Sequence, residues 1–174
     1  MRFMTIFGVA GVMVAMLAFA GASRAGVEQM VGKDAPDIEL PTLAGGTVKL
    51  SEQKGKVVVI DFWATWCPPC IKALPHLQKM SENKDWAEKG VLIWGLNAGE
   101  AQPKVEAFMK KNNYTFAVPM DAKSTSLKAY GIEGIPTQVV IGKDGKVAYV
   151  AVGYNGEAGS KLLDQAVENA LQAK

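Results

Sequence analysis

The sequence contains few of the residues that build zinc centres and disulfide scaffolds, and it lacks the clustered basic residues of a nucleic-acid surface. Its 174 residues include only two cysteines and one histidine, too few for a disulfide framework or a zinc site made from these residue types. The formal net charge is +2, and the 19 basic residues are scattered along the chain, so the charge pattern does not indicate a nucleic-acid partner. We expect no metal and no cofactor. The apolar fraction of 49% is sufficient for a globular core.

The N-terminus follows the pattern of a secretory signal over residues 1–25. A positive charge at the second residue is followed by an almost wholly apolar run over residues 3–20 and then by small residues. We expect export and cleavage near Ala22 or Ala25. The alternative is an uncleaved membrane anchor, because the run approaches the roughly 20 residues that span a bilayer. The folded domain is then residues 26–174, in the periplasm or another extracytoplasmic compartment.

The remaining chain alternates between strand and helix patterns. Residues 37–40 and 47–50 alternate polar and apolar side chains around a glycine turn, which predicts a β-hairpin. The order of elements predicts one α/β domain with a mixed sheet and helices on both faces. The elements expected after the hairpin are a helical turn at 51–54, a buried strand from Val57, a helix from Ile71 to about Asn83, a strand at 91–97, a helix from Gln102 to about Asn112, a short strand at 116–119, a short helix capped by Ser124, strands at 138–141 and 147–152 joined through Asp144 and Gly145, and a closing helix through 162–171.

Both cysteines lie at the junction between the buried strand and the helix that follows it. Two intervening residues allow Cys67 and Cys70 to alternate between dithiol and disulfide. Because Pro68 disfavours helical backbone at the residue before it, Cys67 is expected to be the helix N-cap and the exposed attacking thiol, with Cys70 as the shielded resolving thiol. The alternatives are a static structural bridge or two ligands of a metal site.

Two neighbouring residues bear on the reactivity of these thiols. Burial of Asp61 in an apolar strand is expected to raise its pKa, which allows it to act as the general base for Cys70; the alternative is a tolerated polar residue beside an internal water. Pro69 has no N–H with which to stabilise a thiolate at the cap. We therefore expect a moderately lowered pKa for Cys67 and a reducing potential rather than a strongly oxidising one.

These segments resemble the thioredoxin superfamily. The stretch from Asp61 to Cys70, with the helix proline Pro75, is similar to the active-site segment of that superfamily, and residues 134–137 resemble its cis-proline loop. The hairpin and an extra element at about residues 99–119 are similar to the TlpA/ResA/CcmG-like branch. The resemblance implies a thioredoxin-like mixed sheet flanked by helices, with an N-terminal β-hairpin and a central insertion.

The resemblance also implies a set of substrate-binding residues. Ile135–Pro136 is expected to be a cis peptide, and the backbone of Ile135 to bind a substrate peptide by strand addition. Trp66 and Pro68 are expected to shape the substrate surface beside Cys67.

The function that follows from the resemblance is that of an extracytoplasmic thiol–disulfide oxidoreductase that reduces protein disulfides, for example in cytochrome c maturation. Its expected partners are disulfide-containing proteins such as apocytochrome c and a membrane electron donor of the thiol-transfer type, and we expect a monomer. The alternatives are a disulfide oxidant or isomerase and a thiol-based copper-delivery module. A peroxide-reducing enzyme is disfavoured, because Ile60 and Ala64 stand where that class carries Pro and Thr.

One position departs from the pattern of the branch. Ala73 stands where a glutamate often follows the second cysteine by three residues. We expect Glu100 and Glu133 to be solvated loop acids; the alternative is that they stand near the cysteines. We expect His76 to lie on the helix surface without a catalytic role, and Trp63 to pack in the core.

Overall fold

The computed structural model describes residues 26–173, so the predicted export segment lies outside the described residues. Strands β1 (Glu39–Pro41) and β2 (Thr47–Lys49) pair antiparallel and form the expected hairpin. A 3₁₀ turn at Leu50–Gln53 connects the hairpin to the central sheet. Over the described range, every helix is too short or too polar to span a bilayer.

The central sheet has five strands, β3 (Val57–Trp63), β4 (Val91–Ala98), β5 (Met120–Asp121), β6 (Thr137–Ile141) and β7 (Val147–Val152). Their order across the sheet is β5-β4-β3-β6-β7. β3 runs parallel to β4 and antiparallel to β6, so the sheet is mixed as predicted. Helices pack on both faces of the sheet. The helices are α1 (Pro68–Ser81), α2 (Lys84–Glu88), α3 (Gln102–Asn112), α4 (Thr125–Ala129) and α5 (Gly156–Gln172).

β3 is the central strand, and all seven of its residues are buried. Its odd-numbered apolar residues pack with α1, α3 and α5, whereas its even-numbered residues pack with the hairpin and the segment around α4. Successive side chains of a strand point to opposite faces. Asp61 therefore points to the face that α1 covers, which is the side of the sheet on which Cys70 lies.

Several element boundaries differ from the sequence prediction. α1 begins at Pro68 rather than Ile71, because prolines are tolerated in the first helical turn, where an N–H has no intrahelical partner. α2 was not predicted; it begins where the side chain of Asn83 accepts a hydrogen bond from the N–H of Trp86. The strand expected at residues 116–119 is reduced to isolated bridges, and regular pairing begins at Met120.

The start of α4 is stabilised differently from the prediction. Ser124 occupies the N-cap, but its side chain makes no capping hydrogen bond. The carboxylate of Asp121 accepts hydrogen bonds from the N–H groups of Thr125 and Ser126 instead, at 3.0 and 2.6 Å. Asp121, the last residue of β5, thus caps the start of α4, a role that was predicted for Ser124.

Candidate active site

Cys67 and Cys70 form a disulfide at the start of α1, with an S–S distance of 2.06 Å. Cys67 is the N-cap in extended backbone, and its sulfur accepts a hydrogen bond from the N–H of Cys70 at 3.2 Å. Pro68 and Pro69 are the first two helical residues, and proline has no N–H. Cys70 is therefore the first helical residue with an N–H to direct at the cap, which confirms the predicted cap geometry.

The two cysteines are less different in exposure than the sequence predicted. Cys67 is 3% exposed and Cys70 is fully buried, so the expectation of an exposed Cys67 is wrong for this disulfide state. The Cys67 sulfur is bonded to Cys70 and lies 3.7 Å from the carbonyl oxygen of Ile135, and these contacts cover it. What distinguishes Cys67 is that it borders an open groove that Cys70 does not reach.

That groove has a volume of about 490 Å³ and lies between the start of α1 and the loop before β6. The Ile135–Pro136 peptide is cis, as expected, and the carbonyl oxygen of Ile135 lies 3.7 Å from the sulfur of Cys67. Trp66 stands at the groove with 65% of its surface exposed, and Trp63 is buried in the core as predicted. The apolar lining of the groove includes Trp66, Pro68, Leu127, Ile132 and Ile135, and Glu133 is its carboxylate.

Asp61 is buried in β3 and is 1% exposed. Its Oδ2 accepts a hydrogen bond from Nε2 of Gln138 at 2.9 Å, and its Oδ1 has no hydrogen-bond partner. Burial raises the pKa of Asp61 to about 7, although the hydrogen bond from Gln138 opposes that rise. The predicted direction of the pKa shift is confirmed. The sequence reasoning missed Gln138, whose only signal was a polar residue within an otherwise apolar strand.

Glu100 is buried, so the expectation of a solvated loop acid is wrong. Its side chain is 3% exposed and forms an ion pair with Lys104 at 2.8 Å. Its two carboxylate oxygens accept hydrogen bonds from the N–H and hydroxyl of Thr65, both at 2.6 Å, and from Asn97 at 2.9 Å. Burial alone would raise the pKa of Glu100, but the hydrogen bonds from Asn97, Lys104 and Thr65 lower it to about 2. Glu100 therefore fixes the turn that leads into Cys67.

The contact between Glu100 and Thr65 could have been predicted from the order of the strands along the chain. Thr65 follows β3 and Glu100 follows β4. The carboxyl ends of adjacent parallel strands meet at one edge of a sheet, so the two residues are brought together there. Glu133 is exposed, as expected of a solvated acid.

His76 is partly buried between α1 and α5 rather than free on the helix surface. Its side chain is 23% exposed, and its Nε2 lies 2.9 Å from Oδ1 of Asp164. Ala73 is 3% exposed and faces the same side of the sheet as Asp61. The glutamate that often follows the second cysteine is thus replaced by a methyl group close to the buried carboxyl.

The fold and this site define a thioredoxin-like protein with a redox disulfide at a helix start. The model of the AhpC/TSA family matches residues 31–150. The thiol-disulfide oxidoreductase ResA of Bacillus thuringiensis subsp. konkukian is 38% identical over 117 residues, which cover 67% of this chain and 66% of that protein. ResA of Bacillus subtilis is 38% identical over 122 residues, which cover 70% of this chain and 67% of that protein.

A solved structure of a similar protein supports the same assignment to thiol–disulfide oxidoreductases. A thiol:disulfide interchange protein of the thioredoxin family from Chlorobium tepidum superposes with a TM-score of 0.67 at 33% identity, covering 79% of this chain and 95% of that chain. The chain belongs to the AhpC/TSA family and, within it, to the thioredoxin-like thiol–disulfide oxidoreductases.

Proposed function

We propose that the protein is an exported thiol–disulfide oxidoreductase that acts as a reductant of protein disulfides. The observation that carries the proposal is the placement of Cys67, which caps α1, is bonded to Cys70 and borders an open groove. A nucleophilic thiol beside a groove is accessible to the disulfide of a substrate. The buried Cys70 then attacks the mixed disulfide and completes the exchange.

The proposed reaction moves two electrons from the dithiol to the substrate. The thiolate of Cys67 attacks one sulfur of the substrate disulfide, and the other substrate sulfur leaves as a thiolate. Asp61 then takes the proton of Cys70, and the Cys70 thiolate attacks the sulfur of Cys67. The second substrate thiolate leaves, the Cys67–Cys70 disulfide forms, and a membrane electron donor of the thiol-transfer type restores the dithiol.

The groove supplies the binding surface for the substrate chain in this proposal. Trp66 and Pro68 flank Cys67 with apolar surface, and Ile135, which precedes the cis peptide bond to the buried Pro136, lies on the opposite wall. The backbone of Ile135 pairs with an extended substrate segment, which positions a substrate sulfur near Cys67. Backbone pairing of this kind tolerates many side chains, which suits an enzyme with several protein substrates.

The reducing direction follows from the start of α1. A strong oxidant in this fold requires a well-stabilised thiolate in its reduced form. Pro68 and Pro69 remove two N–H groups from the helix start, which leaves the N–H of Cys70 to stabilise the Cys67 thiolate. The reduced form is stabilised less, so the dithiol gives up its electrons more readily.

The proposed location and clients rest on the N-terminal sequence and on the family resemblance. Residues 1–25 have the charge and hydropathy pattern of an export signal or anchor, and this pattern supports a location in the periplasm or another extracytoplasmic compartment. Cytochrome c maturation supplies a suitable client, because apocytochrome c has to present reduced thiols for haem attachment.

Two experiments test the proposal. The reduced protein is expected to catalyse insulin reduction and to show no tight binding in a parallel copper titration. Tight copper binding without insulin reduction would favour the copper-delivery alternative.

A Cys70→Ser variant expressed with its own N-terminus is expected to accumulate mixed disulfides through Cys67, and mass spectrometry identifies the captured partners. Capture of apocytochrome thiols supports maturation, and Cys67→Ser is the matched control, which should capture no partner through this route. Failure of Cys70→Ser to form any mixed disulfide would contradict the proposal.

A further inference from the structure

Asp61 carries a proton while the cysteines are oxidised in the proposed reaction, on which this inference rests. It takes that proton from Cys70, and it either returns it when the membrane donor restores the dithiol or exchanges it with solvent. The path from Asp61 past the cysteines is closed to solvent, because Cys70 and Trp63 are both fully buried. Exchange of the Asp61 proton with solvent therefore needs a route on another side of the carboxyl.

A small cavity of about 30 Å³ lies on the α1 side of Asp61. This volume has room for one water molecule. Its buried lining consists of Asp61, Ala73, Leu77, Met80 and Leu163, beside half-buried Gln138. The exposed residues Tyr154 and Asn155 contribute to its lining at the junction of β7 and α5. Oδ1 of Asp61 has no hydrogen-bond partner, so one polar atom of the carboxyl is free to take part in a proton transfer.

His76 lies between this cavity and a second, open groove. It lines the cavity and also lines an open groove of about 650 Å³ between α1, α2 and α5. Its Nε2 is hydrogen-bonded to Asp164. An imidazole accepts a proton on one ring nitrogen and gives one up from the other, which makes it suited to pass a proton between two compartments.

The other charged and titratable groups near the route are few. The phenols of Tyr149 and Tyr154 line the cavity together with Asp61 and His76. The charged groups that face His76 across the open groove are Lys79 on α1, Asp85 on α2, and Lys161, Asp164 and Glu168 on α5. Of these, Asp164 is the group that holds the imidazole in place.

We propose that the cavity beside Ala73 is the proton exit of the active site, through which Asp61 exchanges its proton with His76, and that the His76–Asp164 pair passes it to the open groove. The proton leaves the carboxyl, the imidazole gains it and then loses it to solvent, and no electrons move in this step. The small side chain of Ala73 is required for this proton route, because a larger side chain would fill the cavity.

The test measures proton exchange of Asp61 in the oxidised protein, without substrate. Stopped-flow infrared spectroscopy after a pH jump follows the carbonyl stretch of the protonated carboxyl, assigned by its loss in Asp61→Asn. His76→Gln, which retains a donor for Asp164, is expected to slow the exchange at least about tenfold. Added imidazole is expected to restore the rate of this variant, which a purely structural role of His76 would not allow.

A second variant tests the cavity itself. Ala73→Leu is expected to slow the exchange, and imidazole is not expected to restore it, because the path is filled. Ser160→Leu fills the same cavity from α5 and replaces Ala73→Leu if that variant does not fold. Lys79→Gln changes the open groove without touching the cavity and serves as the matched control with an unchanged rate.

Exchange at the wild-type rate in both His76→Gln and the cavity-filling variant would overturn the proposed route. Because the measurement involves neither substrate nor turnover, this outcome is independent of whether the protein reduces disulfides. Failure of the route is therefore distinguishable from failure of the proposed function.

Discussion

Gln138 donates a hydrogen bond to the buried carboxyl of Asp61 from the neighbouring strand, at a distance of 2.9 Å. The two residues are register partners across β3 and β6, so the contact is fixed by the sheet rather than by a mobile loop. A hydrogen bond to a carboxylate favours its charged form and opposes the effect of burial. Gln138 therefore keeps the pKa of Asp61 at about 7 instead of higher.

Replacing Gln138 by leucine tests this relationship. Gln138→Leu removes the hydrogen bond that lowers the pKa and retains the burial that raises it, so the pKa of Asp61 is expected to rise above about 7. An infrared titration of the protonated carboxyl measures it directly. Gln165→Leu, on the exposed side of α5, is the control. An unchanged or lower pKa in Gln138→Leu would show that the hydrogen bond has no effect on Asp61.

The buried carboxyl is also expected to reduce stability at high pH. The pKa of Asp61 is raised from 3.8 to about 7 in the folded state, so between these values the folded protein holds a proton that the unfolded chain releases. The contribution of Asp61 to stability is then complete below about pH 4 and is lost as the pH rises through about 7.

Asp61→Asn, which has no charge at any pH, is accordingly expected to be more stable than the wild type above about pH 7, by up to about 4 kcal/mol. The difference should disappear near pH 4, and urea unfolding at several pH values measures it. Asp85→Asn, an exposed acid on α2, is the control. A stability difference between Asp61→Asn and wild type that does not change with pH would contradict the assignment.

Trp66 is expected to contribute to binding of protein substrates rather than to the chemistry. Trp66→Ala removes a large exposed aromatic side chain beside Cys67. Truncation of such a residue at an interface costs about 1–2 kcal/mol or more, which corresponds to about a tenfold loss of rate on a protein disulfide. The rate with a small aromatic disulfide is expected to be nearly unchanged. Val31→Ala, at an exposed apolar residue outside the groove, is the control. Equal losses of rate with the protein and the small disulfide in Trp66→Ala would refute the binding role of Trp66.

Glu100 is expected to stabilise the turn that leads into Cys67. Glu100→Gln weakens its hydrogen bonds with Thr65 and its ion pair with Lys104, which should lower the free energy of unfolding by about 1–3 kcal/mol at neutral pH. Because the pKa of Glu100 is lowered from 4.5 to about 2, the stability that it contributes is present above about pH 4.5 and is lost as the pH falls towards 2. The difference between wild type and variant should therefore shrink over that range. Glu133→Gln, at an exposed acid that lines the groove beside Cys67, is the control. A stability loss in Glu133→Gln as large as that in Glu100→Gln would argue against a specific role of Glu100.

The parts of the site that could be predicted from sequence are those that depend on local pattern. The apolar run from Val57 and the Cys67–Pro68 junction predict a buried strand that delivers a helix cap, and this placement is confirmed. The cis peptide at Pro136 was predicted only through the resemblance to thioredoxins, since nothing in the spacing requires it.

The parts that were missed depend on packing between distant elements. The contact between Asp61 and Gln138 requires the register of β3 against β6, and the pair of His76 with Asp164 requires the packing of α1 on α5. The periodicity of a single segment does not contain this information. The burial of Glu100 has the same origin, since its partners lie on the neighbouring strand end and on α3.

The central claim is that the Cys67–Cys70 pair is a reductant whose thiolate is only moderately stabilised. Equilibration of the protein with glutathione buffers, read by the fraction of the disulfide that remains, measures the reduction potential directly. We expect a reducing value, closer to the roughly −270 mV of thioredoxin than to the roughly −120 mV of a strong oxidant. A potential close to about −120 mV, accompanied by a Cys67 pKa near about 3.5, would contradict it.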